Sequence, residues 1–443
     1  MTTLLLPAYL LLCLLLGGSQ RDVWPNAVLQ VLGVFLIGLA VLRDEPEQLT
    51  KASRTLLGLV AVALVLVLVQ VVPLPPQVWS SFPGRRALLD AYALLGEPLP
   101  WLSLSFTPYS SLDSLTWWLP PLAVLLACMR LQPPRTTLCA VAILAGDFGG
   151  VMLGALQVSG GASWYLYSIT NSGAVGFFAN RNFMGTLLLV SIPFSFALLA
   201  DRRGKATTVW ALRAIGVAAL LVILAGLAMN RSMAALALFV PVAIASAALL
   251  KGPANLVRYA FPVAALAALV AISLVTSSPV GSELSDAETT SIASRTSIWA
   301  HTVRAISDSF PFGTGFGSFE PIFATYENPD LVDRIYINNA HNDYLQLVLE
   351  AGIFGIALIV AFLAWWTFQA VRIWRSSSFS PMSRAATIAA GAILFHSVVD
   401  YPLRTSAIGA IFALCLGMMA QPAEARADRS TARFRRARHV SIN

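Results

Sequence analysis

Residues 338–371 read NNAHNDYLQLVLEAGIFGIALIVAFLAWWTFQAV. The first six, Asn338 to Asp343, gather amides, an imidazole and a carboxylate. From Leu345 to Val371 the only charge is Glu350. At 1.5 Å per residue that run is about 40 Å long as a helix, more than the ~30 Å of a bilayer's hydrocarbon. The stretch therefore predicts a membrane helix with a strongly polar mouth.

The rest of the chain extends that reading. Of 443 residues, 57% are hydrophobic and only 12% are charged, too few charges to cover a water-soluble protein of this length. Apolar runs recur at 3–19, 23–42, 55–75, 114–130, 136–158, 183–200, 214–230, 232–250, 259–276, 345–371, 385–399 and 405–420. The expectation is an all-α integral membrane protein with about 12 transmembrane helices over residues 1–421, followed by a basic cytoplasmic tail, 422–443, touching anionic lipid head groups. Thr2 to Gly18 has no Lys or Arg before it and no A-x-A site after it, so it reads as a first membrane helix rather than a signal peptide. Cys13, Cys128, Cys139 and Cys415 all fall in or at the ends of apolar runs, without CxxC or Cys/His metal spacing, and read as small core hydrophobes. The net charge of +7 does not imply nucleic acid, because in a membrane protein the position of each cation matters more than the total.

With the N-terminus cytoplasmic, inner segments hold twenty of the 29 Lys and Arg residues, among them Lys51, Arg54, Arg130, Arg372, Arg375, Arg384 and six tail arginines. That bias places both ends inside. Two outer segments are too long to be connectors. Pro76 to Asp113 carries RRALLDAYALLG, an amphipathic piece suited to the membrane surface. The segment at about 276–342 holds a helical stretch, RTSIWAHTVRAISDSF, with Ser294 as its expected N-cap, and then a glycine-rich turn, PFGTGFGSF.

Candidate chemistry collects on that outer side. Arg231, in GLAMNRSMAALALFV, lies between two apolar runs with almost no loop, and either snorkels to head groups or faces a polar cavity or anionic partner. Arg295 opens the expected loop helix, where the helix dipole disfavours a cation unless something anionic offsets it; the alternative is a solvated face or an acidic neighbour. Arg181 and Asn182, in FFANRNFMG, begin a membrane helix whose free N–H groups suit an anion or a sugar, or form a plain cap. Histidine is scarce. His439 lies in the tail and His301 reads as structural. His396, above Asp400 and Arg404 in FHSVVDYPLR, reads as a core histidine ahead of a membrane-embedded polar network. His341, flanked by Asn339, Asn342 and Asp343 at the outer mouth, is placed to take a proton from a hydroxyl at neutral pH, or to join a helix-capping cluster. The chain has no GxxxxGK[ST], HExxH, GxSxG or Asp-x-Asp, so an enzyme here would use arginine and histidine on an anionic, already activated substrate.

The motifs GFFANRNFMG, MNRSMAALALF, SRTSIWAHTVRAISDSFPFGTGFGSF and AHNDYLQLVLEAGIFG, in that order over about 170–370, resemble the O-antigen ligase and polymerase superfamily. The resemblance implies a GT-C-like membrane glycosyltransferase of the bacterial inner membrane, using no cofactor and no metal. The implied donor is a glycan on undecaprenyl diphosphate. The implied acceptor is a sugar hydroxyl of lipid A–core (a ligase) or of a lipid-linked chain (a polymerase). It further implies that Arg231 and Arg295 hold the donor diphosphate and that His341 activates the acceptor; Arg181, Asn182, Asn342, Asp343 and Arg404 are possible substrate contacts by their position on the same side, Asp343 orienting His341 or binding sugar hydroxyls. A single displacement with His341 as base predicts inversion at the anomeric carbon. A lipid-linked sugar transporter, the reading from another class, would show inverted repeats and polar or broken helices on both sides of the midplane; here the polar residues cluster on one side.

Overall fold

A computed structural model describes residues 4–19, 23–42, 49–131, 136–167, 173–201, 205–251, 280–327 and 337–422. The expected run at 259–276 and tail residues 423–443 lie outside these. Apart from one two-residue antiparallel ladder, β1 (Pro73–Leu74) with β2 (Leu102–Ser103), the described elements are helical. The N-terminal half comprises α1 (Leu5–Leu16), α2 (Trp24–Val41), α3 (Lys51–Gln70), α4 (Pro76–Trp79), α5 (Arg86–Leu95), α6 (Pro108–Trp117), α7 (Leu119–Arg130) and α8 (Thr136–Gly160). Then follow α9 (Arg181–Ala200), α10 (Ala206–Asn230), α11 (Met233–Lys251), α12 (Val280–Ser309), α13 (Phe319–Ala324), α14 (Asp343–Arg375), α15 (Pro381–His396) and α16 (Ser406–Ala420).

Among the described residues, eight helices are long and apolar enough to cross a membrane: α2, α3, the contiguous α6–α7 pair, α8, α9, α10, α11 and α14. The expected runs at 3–19, 385–399 and 405–420 appear as the shorter apolar helices α1, α15 and α16. All four cysteines are buried and free, and α5 buries none of its residues, as a surface helix should.

The centre of the bundle is α9, with 83% of its apolar window buried against 28% for α10 and α14. It packs on α10, α11 and α15. In a membrane the hydrophobic effect does not drive helices together, so close approach depends on small residues. Gly185 of α9 lies under Ala235 of α11, Gly226 of α10 under Leu188, and α15 turns a face of Ala385, Ala386, Ala389 and Ala390 inward.

The two ends of the bundle differ in chemistry. At one end Thr50 and Arg372 donate to Ala420 O (2.6 Å) and Met419 O (3.4 Å), gathering the starts of α3 and the ends of α14 and α16. Gln421 adds the end of α7 by donating to Cys128 O at 2.8 Å. Lys51, Arg54, Arg130, Arg372, Arg375 and Arg384 flank that end. The opposite end carries the starts of α9, α14 and α16, the joint between α10 and α11, and His341.

Two elements differ from the sequence expectation. The loop helix runs from Val280 to Ser309 without a break, so Ser294 is not its N-cap and Arg295 lies within it. The dipole argument for Arg295 therefore does not apply, because the free N–H groups are four turns away. The second difference is in α14, which breaks at Gly352, with φ 56° and ψ −135°. The glycine turn after α12 fills that break. Thr314 N and Gly315 N donate to Leu349 O and Glu350 O, both at 2.9 Å, and Ile353 N donates to Pro311 O at 2.9 Å. Gln70 closes the join, donating through Nε2 to Glu350 O (2.9 Å) and accepting at Oε1 from Phe316 N (3.0 Å). Every freed backbone group named here is thus met by protein, which membrane depth requires.

A carboxylate-held histidine at the polar end of the bundle

His341 sits immediately before Asn342, the N-cap of α14, whose Oδ1 accepts from Leu345 N at 3.0 Å. Its backbone is left-handed, φ 49°. Arg231 occupies the two-residue joint between α10 and α11 and is left-handed too, φ 56°. Among the described residues these are the only non-glycine residues with positive φ. Such a conformation costs an L-residue about 1–2 kcal/mol and concentrates at functional sites.

A chain of hydrogen bonds leads from that joint to His341. Ser232 Oγ donates to Asn182 Oδ1 at 2.7 Å. Asn182 Nδ2 donates to Asp400 Oδ2. Asp400 Oδ1 meets His341 Nδ1 at 3.2 Å and accepts from Tyr401 N at 3.0 Å. Tyr401 lies edge-on to the imidazole, centroids 4.8 Å apart, and Phe183 backs the tyrosine at 5.2 Å. Asp400 is fully buried whereas the His341 side chain is 26% exposed. Burial pushes the Asp400 carboxyl up, but the hydrogen bond from His341 and the fields of His341, His396 and Arg295 outweigh it and hold it down to about 2. The pair is thus a carboxylate on Nδ1. When Nδ1 carries the proton, the lone pair is left on Nε2.

Arg295, half-buried on α12, acts on Asp400 and on Tyr401 through space. Arg181 opens α9, with Asn180 Oδ1 capping Asn182 N at 2.9 Å, and its carbonyl accepts from Asn230 Nδ2 at 2.8 Å. Arg231, Arg181, Asn182 and His341 therefore belong to one end of the bundle, joined through Asn230, Ser232 and Asp400.

Asp343 and Arg404 form a second network beside the first. Arg404 Nε lies 3.6 Å from Asp343 Oδ1, and its Nη2 lies 3.3 Å from Glu350 Oε2. Ser397 Oγ donates to Asp343 Oδ2 at 2.8 Å. Gln346 bridges onward, donating to Glu350 Oε1 (3.2 Å) and accepting from Ala340 N (3.0 Å). Trp299 on α12 donates to Ala340 O at 2.9 Å. Asn342, Asp343 and Arg404 thus hold the start of α14 in place. His396 is fully buried, with Nδ1 2.8 Å from Thr186 Oγ1, as a core histidine would be.

Ser232 and Glu350 were not among the sequence candidates, and Asp400 was named only beside His396 and Arg404, not as the partner of His341. Asp400 stands 59 positions beyond His341, and no spacing connects them. The available signal was a lone carboxylate ending an apolar run in FHSVVDYPLR.

Taken together, the chain is a helical integral membrane protein with a carboxylate-held imidazole and several arginines at one end of its bundle. Residues 217–360, about a third of the chain, match the family model described as O-antigen ligase, and the match supports the O-antigen ligase superfamily for this protein. Members of that family are glycosyltransferase-like enzymes, ligases or polymerases. No curated protein matches the chain significantly in sequence. Arg231, Arg295 and His341 fall inside the matched segment; Asn182, Asp400 and Arg404 fall outside it.

Proposed function

We propose that this protein is a membrane glycosyltransferase of the O-antigen ligase type, GT-C-like and with about twelve crossings. It would move a glycan from undecaprenyl diphosphate to an acceptor sugar hydroxyl at the periplasmic face. The cation-rich end of the bundle faces the cytoplasm by the positive-inside rule, so the His341 end faces the periplasm. The observation that carries the reading is the Asp400–His341 pair, which fixes one imidazole nitrogen and leaves the other as a base.

The acceptor hydroxyl gives its proton to His341 Nε2 as its oxygen bonds to the anomeric carbon. The bond from that carbon to the phosphate oxygen breaks, and undecaprenyl diphosphate leaves with the electron pair. Arg231 and Arg295 supply charge-assisted hydrogen bonds to the departing diphosphate, whose charge grows in the transition state. The displacement is single, inverting and metal-independent. A polymerase of the same superfamily would use this site with a lipid-linked chain as acceptor. The break in α14 does not favour a transporter, because the glycine turn fills it.

The test is reconstitution with a lipid-linked oligosaccharide and candidate acceptors. His341→Ala and Arg295→Ala are expected to abolish most transfer, a chelator to leave it unchanged, and the product to have the inverted anomeric configuration by NMR. Full activity in both variants, or retained configuration, overturns the mechanism.

A further inference from the structure

A cavity of about 410 Å³ runs between α2, α3, α7, α14 and α16, within the ~300–1,000 Å³ range of ligand sites. Its rim carries Asp343, Glu350 and Arg404, and its walls are mostly apolar, with Ala63, Phe362 and Leu416 along its depth beside a few polar groups such as Gln30 and Ser114. From Ser406 to Leu416 it follows α16 for about 15 Å, and along α14 it reaches further, so it penetrates the membrane-spanning layer.

Three observations say what it holds. First, a deep apolar slot at membrane depth suits a hydrocarbon chain and offers a soluble ligand nothing. Second, its rim cation is already consumed: Arg404 faces two carboxylates, Asp343 and Glu350, so the rim attracts no diphosphate. Third, no residue of α10, α11 or α12, which carry or adjoin Arg231 and Arg295, lines the cavity, whereas Asp343 is two residues from His341 and does. The slot thus ends beside the start of α14, next to His341, without touching the helices that carry or adjoin the two arginines, which leaves the arginines to the other substrate.

We propose that this groove holds a hydrocarbon chain of a lipid-anchored acceptor, the glycolipid whose sugar hydroxyl reaches His341. The proposal rests on the glycosyl-transfer reading for the acceptor's role, and its test separates the two. The full chain in nanodiscs is photolabelled with a phospholipid bearing a diazirine on one long acyl chain, and the labelled residues are mapped by mass spectrometry. Label is expected to concentrate on groove residues of α3, α14 and α16, to fall when lipid A is added, and to stay unchanged with undecaprenyl diphosphate. It should also fall in Ala63→Trp, which fills the groove wall, and persist in Ala61→Trp, on the exposed face of the same helix. In transfer assays Ala63→Trp should raise KM for a lipid-anchored acceptor about tenfold while leaving kcat and the donor KM intact, a loss of binding alone. A deacylated acceptor should be used equally by the variant and the wild type. Label spread evenly over the lipid-facing surface overturns the groove, and competition by undecaprenyl diphosphate overturns its assignment to the acceptor. If no acceptor supports transfer, the glycosyltransferase reading fails, and labelling and lipid A competition still decide the groove.

Discussion

Asp400 supplies what His341 lacks in its own sequence neighbourhood, a buried carboxylate that selects which ring nitrogen is protonated. Replacing it by Asn keeps the shape and removes that selection. By comparison with other carboxylate-oriented histidines, Asp400→Asn is expected to lower kcat by ~10²–10⁴-fold with little change in donor KM. The pH behaviour follows from its low proton affinity. A carboxyl held down to about 2 contributes stability that is fully present above the ordinary value near ~3.9 and is lost only as pH falls through the folded value. Thermal stability should therefore show no step from Asp400 between pH 5 and 9, and an acid limb of activity in that range belongs to another group; a stability loss near pH 6 that disappears in Asp400→Asn would contradict this. Arg231 allows a different test. Glycine adopts its left-handed backbone at no steric cost, so Arg231→Gly should hold or raise the melting temperature while activity collapses. A fall in both would mean that the side chain is kept for packing. His341 and Arg231 were legible in the sequence because each is a polar residue where an apolar chain had no packing use for one. Asp400 was legible only as a polar neighbour of His396, since a partner 59 positions away leaves no trace in spacing.

Among the described residues, the apolar helices were readable from run length, most ends within about five residues, but α10 starts at Ala206 rather than 214 and the α6–α7 pair at Pro108 rather than 114, because their polar first turns interrupt the apolar run. What run length could not reveal is the break in α14, because Gly352 sits in an otherwise continuous apolar stretch and glycine is tolerated in membrane helices. The same blindness applied to α12: a polar helix has no apolar run to mark its start, so it was begun at Ser294 rather than Val280. The break is specified by contact. A Cβ on Gly352 would lie 2.0 Å from Pro311 O, and the backbone conformation itself is one L-residues rarely adopt. Gly352→Ala should therefore cost at least ~1–3 kcal/mol, visible as a lower melting temperature in detergent. An unchanged melting temperature would show that the glycine turn does not lock the break.

At the scale of the molecule, the described Lys51, Arg54, Arg130, Arg372, Arg375 and Arg384 flank one end of the bundle and the His341 network lies at the other. The cations flanking one end and the polar network at the other make a testable orientation. With the four buried cysteines replaced, Ser81→Cys in the exposed loop after α4 should react with a membrane-impermeant thiol reagent in cells with a permeabilised outer membrane. Ser377→Cys, between α14 and α15, should react only after the inner membrane is opened. The reverse pattern would move the histidine to the cytoplasm and end the proposed chemistry. Sequence reading placed these charges by counting helices. Only the fold shows that Arg404, an apparent substrate contact by position, is braced between Asp343 and Glu350.

The stitching of Pro311, Thr314 and Gly315 onto Leu349, Glu350 and Ile353 also bears on how the protein can be rebuilt. An extramembrane loop is usually the part most easily exchanged between relatives. Here the loop's glycine turn and the first third of α14 complete each other's hydrogen bonding, and Gln70 at the end of α3 completes both. A chimera that imports the loop alone would strand the buried backbone groups at the break. The transplantable cassette runs from α12 through the first half of α14, and it carries Arg295 and His341 with it.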